Sequence, residues 1–365
     1  MTAAAYAVLD LDAFQHNLAK VRSCAPGAKV MAVVKANGYG HGVLRIAEAL
    51  QSADAFAVAR VDEGIRLRKA GFGNRIAVLE GFTRASEVDD LLEYQLEPLL
   101  HSLYQLDILE DRKEQEALTA WLKIDTGMNR LGFKAKDVIA VYERLQHCAI
   151  LRHPVNLVTH LASADDKNDD KTLKQIRLFN DTVASFPGQR SIANSAGILG
   201  WRESLTDWVR PGVMLYGISP FPDSTGQELG LKPVMSLHSR LIAVKPVLEG
   251  ETVGYGGGWM CKKNTTLGVV AIGYGDGYPR YAKPGTPVLV NGKRVPLIGR
   301  VSMDMITVDL ATQPDAKPGD PVTLWGEGLA VEEIARYADT IPYTLVCGIT
   351  PRVQIIEGAL AHKNN

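Results

Sequence analysis

From the start of the chain to about residue 220, short apolar or β-branched runs alternate with segments of helical period. Eight such runs occur: KVMAVVK at 29–35, AFAVAR at 55–60, RIAVLE at 75–80, EPLLH at 97–101, AWLKID at 120–125, PVNLVTH at 154–160, RSIANS at 190–195 and DWVRPGVMLYG at 207–217. Between them, HGVLRIAEALQSA at 41–53, VDEGIRLRKAG at 61–71 and DKTLKQIRLFNDTVASF at 170–186 read as helices. Nearly continuous apolar strands separated by helices are the pattern of βα units on a parallel sheet, buried on both faces. Eight strands with eight crossovers predict a (β/α)8 barrel rather than an open doubly wound sheet.

The rhythm changes across FPDSTGQELGLKPVMS at 221–236. Beyond it come LHSRLIAVKPV, TTLGVVAIGYG, TPVLV, KRVPLIG, SMDMITVDL and PVTLWG, with Asn291-Gly292 between the third and fourth. Asn-Gly between alternating apolar runs signals a tight hairpin, because both turn residues take positive φ. The second half is therefore expected to be a mainly antiparallel β domain with one late helix near VEEIARYAD. The domain reading is a barrel over 1–230 and a β domain over 231–365. No internal repeat or low-complexity segment appears, and the terminal AHKNN is expected to fray.

With 365 residues, 46% of them apolar and 22% charged, the chain has the balance of a soluble globular protein long enough for two domains. A net charge of -1 gives no electrostatic reason to expect nucleic acid or an anionic membrane as partner. The N-terminus lacks a basic segment ahead of its apolar stretch, and no apolar run is long enough for a bilayer, so a cytoplasmic location is expected. Cys24, Cys148, Cys261 and Cys347 are scattered without a C-x-x-C pair, which fits free thiols in a reducing compartment.

The chemistry concentrates at the strand ends. Lys35 closes the first apolar run and is followed by a glycine-broken loop, Asn37 to Gly42. A lysine there either snorkels to solvent or presents a desolvated amine able to condense with a carbonyl. In a barrel the active face is the C-terminal end of the strands, where the pattern also puts Lys123, His160, Ser195 and Arg210, with Tyr39 and Arg130 in the loops beyond. Asn194-Ser195-Ala196-Gly197 and Arg210-Pro211-Gly212 are small-residue loops after the seventh and eighth strands, where backbone N–H groups can converge on a phosphate. A first-strand lysine facing a phosphate cup implies a phosphorylated aldehyde cofactor held by an imine, for which pyridoxal 5'-phosphate, an electron sink for amino-acid carbanions, is the economical choice. The glycine-rich GYGGGW and GYGDGY lack the dinucleotide spacing. No P-loop and no H-E-x-x-H zinc pair is present, and no metal is expected.

VVKANGYGHG, WLKIDTGMNRLG, ANSAG, DWVRPGVMLYG, VGYGGGW, GYGDGYPR and GRVSMDM resemble, in order and spacing, the stretches of the alanine racemases. The resemblance runs nearly from the N-terminus to about Val353. It implies a fold-type III, pyridoxal-phosphate-dependent isomerase: a homodimer with shared active sites that interconverts L- and D-alanine and supplies D-alanine for peptidoglycan. Lys35 then matches the cofactor lysine, acting on one face of the substrate α-carbon. Tyr255 matches the second acid–base, reaching the opposite face from the partner subunit, with His160 and Arg210 as its chain of partners. Stereoinversion needs two such groups on opposite faces. Arg210 also resembles the residue facing the pyridine nitrogen, which a guanidinium leaves unprotonated. Tyr39, Ser195, Gly212 and Val213 match phosphate ligands. Arg130 matches the group near the cofactor's 3′ oxygen and the substrate carboxylate, Met303 the partner-chain residue whose backbone N–H holds that carboxylate, and Lys123 a lysine that is N-carbamylated in related enzymes. Tyr255, Tyr274 and Arg280 match the inner gate before the site. Pro351 ahead of Arg352 departs from the tyrosine found there in some members. Two other enzyme readings share the architecture, a broad-specificity amino-acid racemase and a fold-type III decarboxylase; a third, a non-catalytic pyridoxal phosphate binding protein, resembles the barrel alone. Arg210 in place of an acidic partner speaks against the decarboxylase, and the full second domain against the binding protein.

Overall fold

The computed structural model describes residues 4–115 and 117–358. Contacts divide the chain into two compact units, one of Asn17–Leu215 with Pro220–Pro222, the other of Met1–His16, Tyr216–Ser219 and Asp223–Asn365.

The first unit is the expected barrel. Its parallel strands are Lys29–Val33, Ala55–Val58, Arg75–Val78, Leu96–Leu100, Trp121–Asp125, Asn156–Val158, Arg190–Ser191 and Trp208–Val209, one in each of the eight predicted runs. They pair in sequence order, and the eighth closes on the first through Trp208 opposite Lys29. The strands are apolar because both faces are buried: Val30, Ala32, Phe56, Ala77 and Leu122 are fully inaccessible. The fourth strand carries an acid, Glu97, yet stays buried because Arg75 grips its carboxylate at 2.6 and 2.8 Å while Trp121 Nε1 donates to it at 3.0 Å. Where the pattern suggests an eighth helical crossover, the chain makes only a 3-10 turn, Val213–Tyr216. The helix Leu11–Cys24 precedes the first strand instead.

The second unit is an antiparallel ring of six strands: Met235–Val247, Thr265–Val270, Ile306–Asp309, Lys293–Ile298, Pro287–Val290 and Pro321–Trp325. Asn291 and Gly292 take φ of 49° and 75° in the hairpin turn, as their sequence predicts. Of SMDMITVDL only Ile306–Asp309 is strand, and a second late helix, Pro342–Cys347, follows Val331–Tyr337. Tyr6–Leu9 pairs antiparallel with Met235–His238 and parallel with Gln354–Glu357. The N-terminal segment thus belongs to the β unit, and a single cut at residue 230 is not how the contacts divide the chain. Backbone donors at the edge of the long strand explain this, since Tyr6–Leu9 satisfies them. The expected fraying at 361–365 lies outside the described residues.

Candidate active site

Lys35 leaves the first strand half-buried, and the chain then turns the unusual way. Ala36, Asn37 and Gly38 hold φ/ψ of 53°/49°, 54°/45° and 64°/45°, and Tyr39 has φ 50°, which together make a left-handed helical turn. Such geometry costs an L-residue about 1–2 kcal/mol each, so the surroundings must impose it. They do so through hydrogen bonds. Gly38 N–H donates to Val34 O at 2.9 Å, Gly40 N–H to Ala36 O at 3.0 Å and Gly42 N–H to Asn37 O at 2.8 Å. The Asn37 side chain accepts from Val43 N–H at 3.1 Å, and Glu63 accepts from Ala36 N–H at 2.8 Å.

That turn delivers the buried Tyr39 ring to the loop after the eighth strand. A Cβ placed on Gly212 would lie 2.7 Å from Tyr39 Oη, so glycine is required for the two to approach. Ser195 Oγ, on the loop after the seventh strand, accepts from Gly212 N–H at 2.9 Å and Met214 N–H at 3.3 Å. Val213 is buried between them in sequence. Tyr39, Ser195 and Gly212 therefore form one cradle of hydroxyls and backbone N–H groups, an arrangement that fits the oxygens of a phosphate.

Cations crowd the same end of the barrel. Arg210 is buried and spends its donors on Ser191 Oγ at 2.5 Å, Thr159 O at 2.5 Å and Ile192 O at 3.2 Å, with His160 Nδ1 at 3.4 Å. Burial brings its guanidinium down to about 10, which still leaves it charged at neutral pH. The Lys123 amine, buried on the fifth strand, is drawn down to about 7 by burial and by the charges of Arg210, Arg130 and Lys35, against the pull of Asp125. Burial, and then the fields of Arg210, Lys123, Arg130 and Lys35, keep the His160 imidazole well below its usual range. The nearby carboxylate faces another partner. Asp125 pairs with Lys134 at 2.6 Å and accepts from Gly127 and Asn129 N–H, each at 3.0 Å. Burial alone would raise its pKa, but these bonds outweigh that and hold it lowered. Asp125 thereby shapes the loop that carries the exposed Arg130, and the cluster of cations has affinity for anions.

Tyr255 and Met303 lie in the second unit on exposed turns. Tyr255 sits between the paired strands Thr252–Val253 and Trp259–Met260, and it is 69% exposed. Gly254, Gly256 and Gly257 take the positive φ values of this turn, 75°, 72° and 55°, at no side-chain cost. Val253 and Cys261 are buried with Val247, Leu267 and Ile298, so the base of the turn is anchored while its tip is in solvent. Met303 lies on a second loop, where its carbonyl accepts from Gly275 N–H at 2.8 Å. Arg352 bridges Asp304 at 2.8 Å and Asp276 at 3.2 Å, joining the Met303 loop to the one that carries the exposed Tyr274; Arg280 and Pro351 are exposed.

Sequence reading finds Lys35, Tyr39, Ser195, Gly212 and Arg210, which the barrel unit brings to one end. It misses Glu63, Asp125 and Gln175, which shape the loops around them. Glu63 is at the third position of a helix capped by Arg60, so the Ser/Thr-x-x-Glu signature that marks such carboxylates is absent. Gln175 gives no signal at all within its helix.

The alanine racemase N-terminal domain model matches residues 9–220 and the alanine racemase C-terminal domain model residues 234–357. The alanine racemase of Shewanella sediminis is 52% identical over 94% of this chain and 96% of its own length. The biosynthetic alanine racemase of Escherichia coli is 51% identical over 96% and 98%. The crystal structure of the biosynthetic alanine racemase from Pseudomonas aeruginosa superposes with a TM-score of 0.94 at 42% identity, over 98% of this chain and all (100%) of the other. That from Bartonella henselae, with covalently bound pyridoxal phosphate, gives 0.88 at 30% identity, covering 98% of this chain and 100% of its own. With both domain models matched in order along a chain that folds as a barrel and a β ring, the protein belongs to the alanine racemase family of isomerases.

Proposed function

We propose that this alanine racemase works as a cytoplasmic homodimer on pyridoxal 5'-phosphate, with each active site built from the barrel unit of one chain and the Tyr255 turn of its partner. The observation that carries the cofactor reading is the cradle of Tyr39, Ser195 and Gly212 beside a group of cations with little carboxylate to neutralise it. A phosphate and a substrate carboxylate supply the missing negative charge. When bound, the cofactor supplies an electron sink that acidifies the α-hydrogen of the amino acid joined to it.

Lys35 holds the cofactor and moves the α-proton on one face. The partner subunit's Tyr255 moves it on the other, and the alternation inverts the centre. Arg210 remains charged at neutral pH and has only donors to offer, so a cofactor ring nitrogen held against it would stay unprotonated. That would temper the electron sink and favour prompt return of the proton. His160, beside Arg210, links Arg210 to the tyrosine side of the reaction. Arg130 and the backbone N–H of the partner subunit's Met303 orient the substrate carboxylate. Support for the partner's role comes from the 69% exposure of Tyr255 on an anchored, strain-free turn, the state expected of a residue that acts on a second copy.

Lys123 is assigned as an N-carbamylated lysine. An amine brought down to about 7 is largely neutral in mildly alkaline solution and can add to carbon dioxide, forming the N–C bond and releasing its proton. The resulting anion offsets Arg130 and Arg210. The product, D-alanine, feeds peptidoglycan assembly. Four free, scattered cysteines support the cytoplasmic assignment, and among the described residues no helix is long and apolar enough to cross a membrane.

A chiral assay with purified protein and a panel of L-amino acids tests the reading. L-Alanine should be converted to the racemate, with turnover that rises on adding pyridoxal phosphate to depleted protein. Equal turnover of bulky side chains would instead identify a broad-specificity racemase.

A further inference from the structure

Three side chains on the barrel helices reach back over the C-terminal ends of the strands, and each joins an even-numbered strand to the loop of the strand before it. Gln105, on the helix Leu103–Glu110, accepts from His101 N–H at 2.8 Å past the fourth strand and donates to Phe82 O at 3.0 Å past the third. Gln175, on Lys171–Thr182, accepts from Ala162 N–H at 2.8 Å past the sixth and donates to Thr126 Oγ1 at 3.1 Å past the fifth. Glu63, on Val61–Lys69, accepts from Ala59 N–H at 2.7 Å and Arg60 N–H at 3.3 Å past the second strand. Its other oxygen accepts from Ala36 N–H at 2.8 Å, the residue after Lys35.

The chemistry of the three differs in one respect. The two glutamines each face an N–H on one side and an oxygen on the other, and an amide has one group for each. Glu63 faces N–H donors on both sides, so it needs two acceptor oxygens, which only a carboxylate has. One of those donors opens the left-handed turn that follows Lys35, where Ala36 has φ 53°.

We propose that Glu63 is a positioning residue for Lys35: its carboxylate fixes the direction of the chain immediately after the lysine and so sets where the amine stands. The inference rests on the reading of Lys35 as cofactor lysine and proton carrier. Gln105 provides a matched control, because it makes the same kind of bridge between loops that carry no proposed site residue.

The experiment compares wild type, Glu63→Gln, Glu63→Ala and Gln105→Ala, all with pyridoxal phosphate bound. It reads kcat and KM for L-alanine, and the fraction of Lys35 that carries the cofactor after borohydride reduction and peptide mapping. Glu63→Gln keeps the shape but sets an NH2 against an N–H, so kcat should fall by about tenfold to a hundredfold with KM changed much less. The fixed fraction at Lys35 should fall with it, while Gln105→Ala changes neither by more than about twofold. Glu63→Gln matching Gln105→Ala in both readouts would overturn the inference, and it decides alone if Glu63→Ala does not fold. Label on a different lysine in the wild type would instead overturn the reading of Lys35 itself.

Discussion

The turn after Lys35 and the turn that carries Tyr255 are both short, glycine-containing and bent through positive φ, yet they are built on opposite terms. Around Lys35, Ala36, Asn37 and Tyr39 occupy left-handed geometry that only glycine adopts freely, and a mesh of backbone and side-chain hydrogen bonds holds them there. Around Tyr255 the positive φ values fall on Gly254, Gly256 and Gly257, so nothing is strained and little is held. The first half of the proposed site is formed within one barrel, with the strain borne by its neighbours. The second is displayed, with Tyr255 69% exposed, and in the proposed dimer its tip would take its final surroundings from another chain. Strain of this kind persists where the surrounding structure over-determines it.

Tyr255→Phe should give the largest effect, a loss of about 10²- to 10⁴-fold in racemisation, the usual worth of a positioned acid–base. The loss should be unequal by face: single-turnover exchange of the α-proton into deuterated solvent should suffer more from L-alanine than from D-alanine. Equal losses would remove the distinction between the two turns as carriers of opposite faces.

Gly212→Ala is next in size and acts on the barrel side alone. The new methyl would stand 2.7 Å from Tyr39 Oη, so the cradle must open. Pyridoxal phosphate affinity, measured by titrating depleted protein, should fall by about tenfold, or about 1.4 kcal/mol. Unchanged affinity would mean that the cradle does not hold the phosphate.

The smallest effect is on stability and concerns Lys123. In the unfolded chain the amine keeps its proton up to the ordinary 10.5, whereas in the barrel it loses it near 7. Between those limits the unfolded state binds more protons, so this residue makes stability rise with pH. Below about 7 both states are protonated and its destabilising contribution is at its largest. In carbon-dioxide-free buffer, Tm of the wild type should gain on that of Lys123→Gln as pH is raised from neutral to mildly alkaline. Parallel curves would contradict the buried-cation account.

The two turns also differ in what the sequence discloses. Glycine and asparagine announce a turn after Lys35, but Ala36 at φ 53° is set by Glu63, a contact between neighbouring βα loops that leaves no local pattern. GYGGGW announces a turn and, being strain-free, needs no more than its glycines to form. The barrel strands are legible because burial on both faces makes each run apolar. RSIANS contributes only Arg190–Ser191 as regular strand, and the rest of that run passes into the Ser195 loop. Tyr6–Leu9 is not legible as part of the β unit, because its partners lie some 230 residues along the chain, at Met235–His238. Such pairing is decided by tertiary structure rather than by propensity.

The claim that the two turns meet across subunits is tested most directly by mixing two inactive chains, Lys35→Ala and Tyr255→Phe, under conditions that let subunits exchange. If each site takes Lys35 from one chain and Tyr255 from its partner, every mixed dimer regains one intact site. Random reassortment should then restore about a quarter of wild-type activity. Mixed dimers demonstrated by mass, with activity no higher than the two parents, would contradict the account.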